Sequence, residues 1–206
     1  MAERLIGVDV GGTKVSVALL EDGRLSEPVL HPTDQRGSSE LVTQLIDSIK
    51  QAGAADAVGV GAPSVIDFET GTARSSVNIP LQGVPLRQVL SDEVGFPAFV
   101  DNDATVAALA EAFDDDLRPI AQTLVMLTIG TGIGVANVIN TFDPELVIVG
   151  GGVSTAGELL LEPMRRIAKE YVVPGVGTRT EIRLARYGPQ AGVRGAALLA
   201  KHELEA

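Results

Sequence analysis

The sequence predicts a two-domain α/β protein, and three observations lead to that prediction. Apolar, strand-like runs alternate with segments of helical periodicity along the 206 residues. Each half opens with an apolar strand that runs into a loop containing Gly-Thr: Leu5–Val10 into Gly11-Gly12-Thr13-Lys14, and Leu124–Ile129 into Gly130-Thr131-Gly132-Ile133-Gly134. A charged break, Asp114-Asp115-Asp116 to Pro119, parts the halves, so the domains are expected at 1–116 and 117–206, with the closing helix able to pack back on the first domain. The composition agrees. It is 45% hydrophobic but only 3% aromatic, with 23 glycines, so the core is built from Val, Leu, Ile and Ala with close backbone approaches.

In order, Leu5–Val10 and Val15–Leu20 are strands joined by the glycine turn. Asp22-Gly23 marks a second hairpin turn, and Arg24–Leu30 a third strand. Leu41, Val42, Leu45, Ile46 and Ile49 recur at helical spacing, with Ser38 or Ser39 as cap and Gly53 as the stop. Ala57–Ala62 is a short buried strand, followed by a loop rich in Gly, Pro and Asn. Leu86–Val94 is a helix between Pro85 and Gly95. Ala98–Asp101 is a strand and Asp103–Phe113 an Ala-rich helix. In the second half, a strand (Leu124–Ile129), a short helix (about 135–141), a turn at Asp143-Pro144 and a strand (Leu146–Val149) lead to Gly150-Gly151-Gly152. A largely helical stretch follows, with a break or helix start at Pro163. Glu181–Tyr187 is a strand, and Ala191–Leu204 closes the chain as a helix. No short fixed-period repeat is present, which argues against a solenoid.

A net charge of −11 disfavours nucleic acid and anionic membranes as partners. The absence of cysteine excludes disulfides and thiolate metal sites, so no zinc is expected. No basic-plus-apolar leader and no membrane-length apolar run is seen, and a cytoplasmic location is the expectation. His31 and His202 are isolated and read as surface residues.

The first loop is the most informative stretch. Glycines at 11 and 12 let backbone N–H groups approach an anion, Thr13 adds a hydroxyl, and Lys14 adds a positive charge. Gly-Gly between apolar strands is equally a plain hairpin signal. Asp9 tips the balance: an acidic residue inside a hydrophobic strand is disfavoured and costly to bury unless paired or metal-bound, and it can hold the Mg²⁺ that accompanies ATP. The loop with Gly130, Thr131, Gly132 and Gly134 is a second phosphate-loop candidate, spaced G-x-G-x-G and so neither Rossmann nor Walker. The two are read as jaws on one nucleotide. At the strand-to-helix junction, Asp101, Asn102 and Asp103 are all good N-cap residues. An Asp there can also take the proton of a sugar hydroxyl that attacks a γ-phosphate, with Asn102 holding a hydroxyl. Gly150-Gly151-Gly152 can let an adenosine lie against the backbone, or simply connect strand to helix.

Five motifs in order carry a resemblance: Asp9-Val-Gly-Gly-Thr-Lys14, Asn102-Asp103-Ala104, Gly130-Thr-Gly-Ile-Gly134, Asn140-Thr-Phe-Asp-Pro144 and Leu146-Val-Ile-Val-Gly-Gly-Gly-Val153. They span nearly all of the chain and resemble the ROK family of bacterial sugar kinases, which includes glucokinases. The resemblance implies an actin-like ATPase fold of two RNase H-like α/β domains, with ATP and sugar in the cleft between them. It implies Asp103 as catalytic base, and Asp9, Gly11, Gly12, Thr13 and Lys14 as the first phosphate motif, with Asp9 toward Mg²⁺. It further implies Gly130, Thr131, Gly132 and Gly134 as the second phosphate motif, Gly150, Gly151 and Gly152 as the adenosine loop, and Asn78 and Asn102 as sugar contacts. By analogy the protein would be a homodimer.

One departure is large. Family members carry a long segment after the second phosphate loop that supplies a Glu-x-Gly-His sugar motif and often a cysteine-rich zinc site. Here Gly134 runs directly into Val135-Ala-Asn-Val-Ile, so the second domain is abbreviated. Its remainder can still form a parallel three-strand core, at the cost of an exposed sheet edge or apolar surface. The expected function is ATP-dependent phosphorylation of a hexose hydroxyl, glucokinase-like, in a chain where loss of the segment would impair it. The alternative is a non-catalytic nucleotide-binding or regulatory module derived from such a kinase.

Overall fold

The structure, a computed structural model of the chain, describes residues 3–128 and 135–205. In chain order the elements are β1 (Arg4–Val10), β2 (Lys14–Glu21), β3 (Arg24–Leu25), β4 (Val29–Pro32), α1 (Ser38–Ala52), β5 (Ala57–Ala62), β6 (Ser64–Asp67), β7 (Thr72–Ser76), α2 (Leu86–Val94), β8 (Ala98–Asn102) and α3 (Asp103–Ala112). Then come β9 (Leu124–Thr128), α4 (Val135–Phe142), β10 (Leu146–Gly150), α5 (Glu158–Tyr171), β11 (Glu181–Leu184) and α6 (Ala191–Glu205). They divide into two compact units: Met1–Ala110 with Asp115–Leu117 and Pro189–Ala206, and Glu111–Asp114 with Arg118–Gly188.

The first unit is built on the sheet β3-β2-β1-β5-β8, with β4 also paired to β2. β1 and β2 are antiparallel, while β1, β5 and β8 run parallel. Parallel strands need both faces covered, and helices supply this. On one face Ile6, Val8, Val10, Val58 and Val60 pack with Leu41, Leu45 and Ile49 of α1 and Leu86 and Leu90 of α2. On the other, α6 lies directly on the strands. A Cβ at Gly7 would strike the Val193 carbonyl, and one at Gly59 the Ala196 carbonyl. Small residues are therefore the condition of this contact. They also explain why the last helix packs on the first unit, as the sequence allowed: nearly every residue from Ala191 to Ala200 is buried.

The second unit has the sheet β11-β10-β9, all parallel, with β10 buried in the middle. Val147, Val149 and Ile182 share a cluster with Val135 and Ile139 of α4 and Leu161 and Ala168 of α5.

Several local expectations are corrected. Arg24–Leu30 is two short strands rather than one, separated by Ser26-Glu27-Pro28. Pro28 has no N–H to extend the ladder. Gly37 caps α1 in place of a serine, and Ser38 already stands in the first turn. The loop after β5 contains the β6–β7 hairpin. Pro163 neither starts nor breaks a helix. It sits inside α5, where the missing donor leaves the carbonyl of the 86% exposed Leu159 to solvent. β11 stops at Leu184 instead of Tyr187.

Candidate functional site

The carboxyl ends of β1, β5 and β8 bring the chemistry of the first unit together. Asp9 stands in register with Gly61, and Gly61 with Asp101, so the two acids flank a glycine in one row across the sheet. The carboxylate of Asp9 lies under the start of α6, where a Cβ at Gly192 would collide with it. Burial pushes the Asp9 carboxyl up to about 6, and the nearby charge of Asp103 adds to this, with Lys14 opposing. Asp101 is also raised by burial, partly offset by the N–H of Asn102, which it accepts at 2.7 Å.

Asp103 opens α3. Its Oδ1 accepts the N–H of Ala104 at 2.9 Å. Asn102 is the true cap: its Oδ1 accepts from the N–H groups of Ala104 (2.9 Å) and Thr105 (3.4 Å), while its Nδ2 donates to the Ser64 carbonyl (3.2 Å). Both ends of the Asn102 amide are thus committed to fixing the β8–α3 junction, and with it the position of Asp103.

The first phosphate loop is a hairpin in geometry. Val10 pairs with Val15, and the N–H of Gly11 donates to the Lys14 carbonyl at 2.8 Å. Gly12 and Thr13 form its exposed tip. Asn78 lies beside that tip, since a Cβ at Gly12 would stand 3.7 Å from the Asn78 carbonyl oxygen. Asn78 is exposed on the loop after β7. Thr33 and Gln35, which the sequence reading passed over, bond the turn: Thr33 Oγ1 donates to the Gly11 carbonyl (2.7 Å) and Gln35 Nε2 to the Gly12 carbonyl (2.6 Å). Only the pairing of β4 with β2 brings them there, so no local pattern signals them.

In the second unit, Gly150 ends β10, and Gly151 takes φ +87°, which a side chain would resist. A single turn of 3₁₀ helix over Gly152–Ala156 follows, closed by the Ser154 hydroxyl on the Gly151 carbonyl (2.7 Å) and the Thr155 hydroxyl on that of Gly152 (2.8 Å). Gly152 faces open space. Gly130, Thr131, Gly132 and Gly134 lie outside the described residues. Asn140-Thr-Phe-Asp-Pro144 is a staple. Asn140 donates to the Tyr171 carbonyl (3.1 Å) and accepts from Val173 N–H (2.8 Å). Asp143 accepts from Gly177 N–H (2.8 Å), and the Pro144 carbonyl accepts from the Thr180 hydroxyl (2.6 Å).

Asp9, Asp101 and Asp103 are oxygen donors suited to a hard divalent cation, and a half-buried Asp9 held near neutrality is a carboxylate that a cation would relieve. Among the described residues no cluster of three or more His, Cys, Asp or Glu side chains forms a ready-made metal cage.

The family model described as "ROK family" matches residues 5–140 and 134–203. A glucokinase of Halalkalibacterium halodurans is 24% identical over 314 residues, covering 96% of this chain and 95% of that protein. An N-acetyl-D-glucosamine kinase of Citrobacter koseri is 35% identical over 142 residues, covering 65% of this chain and 46% of that protein. The crystal structure of a ROK family glucokinase from Streptomyces griseus, in complex with glucose and AMPPNP, superposes with a TM-score of 0.81 at 21% identity, covering 97% of this chain and all of that one. The first alignment runs over 314 positions for a chain of 206 residues, and the two family matches overlap at 134–140. The long stretch the relative carries and this chain lacks therefore falls at that join. With its ordered motifs, its actin-like fold and a family match running from residue 5 to residue 203, the chain belongs to the ROK family.

Proposed function

We propose that the protein is an ATP-dependent sugar kinase that transfers the γ-phosphoryl group of ATP to a hexose hydroxyl. The observation that carries this reading is the meeting, at the carboxyl edge of one sheet, of Asp103 with a half-buried Asp9 beside an open Gly-Gly-Thr turn. Glucokinase and N-acetylglucosamine kinase relatives support hexoses as the substrate class.

In this reading Asp103 accepts the proton of the attacking hydroxyl as the new O–P bond forms and the bond from the γ-phosphorus to the bridging β-phosphate oxygen breaks. Asn102 holds the base in place through its cap, and Asn78, exposed beside the turn, contacts the sugar. Backbone N–H groups of Gly12 and Thr13, in the turn that Gly11 opens, bind the phosphates together with Lys14, as do Gly130, Thr131, Gly132 and Gly134. Gly150, Gly151 and Gly152 accept the adenosine. Asp9 would hold the Mg²⁺ of Mg-ATP, which supplies neutralisation of the charge on the phosphates when bound. We place the protein in the cytoplasm, as a homodimer. Among the described residues no helix is long and apolar enough to cross a membrane.

A second reading, a nucleotide-binding module without turnover, is favoured by one observation: no Glu-x-Gly-His motif occurs in the chain. Fewer groups then orient the sugar, and misplacement of a nucleophile costs rate heavily. A coupled assay with Mg-ATP and glucose or N-acetylglucosamine decides between them. The kinase reading expects turnover that Asp103→Ala lowers by about 10²–10⁴-fold. Folded protein that binds Mg-ATP in a calorimeter, but whose turnover does not exceed that of the variant, establishes the module instead.

A further inference from the structure

We infer that Thr33 and Gln35 are positioning residues for the first phosphate loop, aiming its N–H groups at the phosphates. This rests on reading residues 11–14 as a phosphate site. Three successive carbonyls of the turn are held from one segment: Gly11 by the Thr33 hydroxyl (2.7 Å), Gly12 by the Gln35 amide (2.6 Å), and Thr13 by the Thr33 N–H (3.1 Å). In a planar trans peptide the N–H points opposite to the C=O. The N–H groups of Gly12, Thr13 and Lys14 are therefore turned away from residues 33–35, toward the far side of the turn. A closed β-turn would send the Gly11 carbonyl to the N–H of Lys14. Here the Thr33 hydroxyl has taken that carbonyl, and the N–H groups of Gly12 and Thr13 have no partner among the described residues. Two adjacent donors aimed outward from a tip free of bulky side chains form an anion-binding concavity.

The holding segment is itself held. Gln44 of α1 grips the backbone on both sides of Thr33, donating to the Pro32 carbonyl (2.7 Å) and accepting the Asp34 N–H (2.9 Å). Asp34 is locked to Arg36 by a two-point ion pair, its closest approach 2.6 Å. Gln35 also reaches the Asn78 carbonyl at 3.3 Å, so one side chain ties the phosphate turn to the loop assigned to the sugar. The line of support runs from α1 through Gln44 and Thr33 to the turn, and neither residue, nor Gln35, is assigned to substrate.

Isothermal titration calorimetry of the whole chain with Mg-ATP and with adenosine, on wild type, Thr33→Val, Thr33→Ser and Gln35→Ala, tests this. Thr33→Val removes the hydroxyl donor at constant shape and is expected to weaken Mg-ATP about tenfold, the worth of one such hydrogen bond. Thr33→Ser should restore binding to within about threefold, and Gln35→Ala should weaken it severalfold. Adenosine, which has no phosphate, should bind all four alike, and the amide resonances of Gly12 and Thr13 should shift with Mg-ATP in wild type and need about tenfold more Mg-ATP to shift in Thr33→Val. Mg-ATP binding equal to wild type in both Thr33→Val and Gln35→Ala overturns the inference. So does a parallel loss of ATP and adenosine with a lowered melting temperature, which marks a merely structural role. A folded wild type that binds no Mg-ATP overturns the phosphate reading itself, and is told apart because the failure is there before any substitution.

Discussion

Asp9 is an acid in a strand whose neighbours Val8 and Val10 are completely buried, and the fold keeps it there at a cost. Its carboxyl rises from 3.8 to about 6. An acid whose folded pKa lies above its unfolded one binds more protons folded than unfolded between those values, so this group's contribution to stability falls as pH rises from about 4 to about 6 and stays low above. Asp9→Asn is therefore expected to stabilise the nucleotide-free protein at pH 7, on the order of 1–3 kcal/mol, with the gain vanishing below about pH 4. Thermal melts of both proteins across that range check it. Added Mg-ATP should reverse the order, raising the melting temperature of wild type only. Gly12 tests the same site from the ligand's side. The space for a Cβ holds only ordinary contacts, 3.7 and 3.8 Å from Asn78, and its φ is not left-handed. Gly12→Ala should change stability by less than about 1 kcal/mol. It should weaken Mg-ATP about tenfold or more, because the close approach of phosphate is what its bareness serves. A calorimetric titration beside a melt reads both.

At the scale of elements, what was legible in the sequence had a local cause. β5 and α2 have the bounds their patterns predict, because six buried small residues in a row, or Pro85 and Gly95 at either end of a helix, leave little choice. The β6–β7 hairpin escaped because it is mostly polar and sits off the main sheet, held by the Ser64–Ser76 hydroxyl pair and the Asp67–Arg74 ion pair. Asp9 stands out in the sequence because an acid inside an apolar strand breaks a local rule, and Asp103 because it opens a helix directly after a strand within a family motif. Thr33, Gln35 and Gln44 break none, and only long-range pairing gives them a role. Asn140 is the intermediate case: it was noticed as part of a motif, but its work became visible only against the segment that follows α5. Asn140→Ala should destabilise the second unit by about 0.5–1.5 kcal/mol, the net worth of hydrogen bonds whose exposed partners, the Tyr171 carbonyl and Val173 N–H, turn to water. Hydrogen exchange resolves it: protection is lost at Val173 and kept at Gly177, whose N–H is held by Asp143.

On the scale of the molecule, the two sheets repeat one plan and differ in how they end. β1-β5-β8 and β9-β10-β11 are each three parallel strands in the same chain order. In the first unit β1 is covered along its other side by β2, which is paired in turn with β3 and β4. In the second, no strand among the described residues pairs with the other side of β9. In sequence, the join of the two family matches at 134–140 follows shortly after β9. β9 reads Leu-Val-Met-Leu-Thr, apolar on both faces as a central strand would be, and it carries no charge or proline. The other terminal strands differ: β11 holds Glu181 and Arg183, and β8 holds Asp101. Natural edges are guarded by such charges, and an unguarded one pairs with other copies. The protein is therefore expected to self-associate with rising concentration in sedimentation velocity. Met126→Lys should shift that association to concentrations about tenfold higher while the melting of the first unit stays unchanged. Association that persists undiminished in the variant would assign it to another surface.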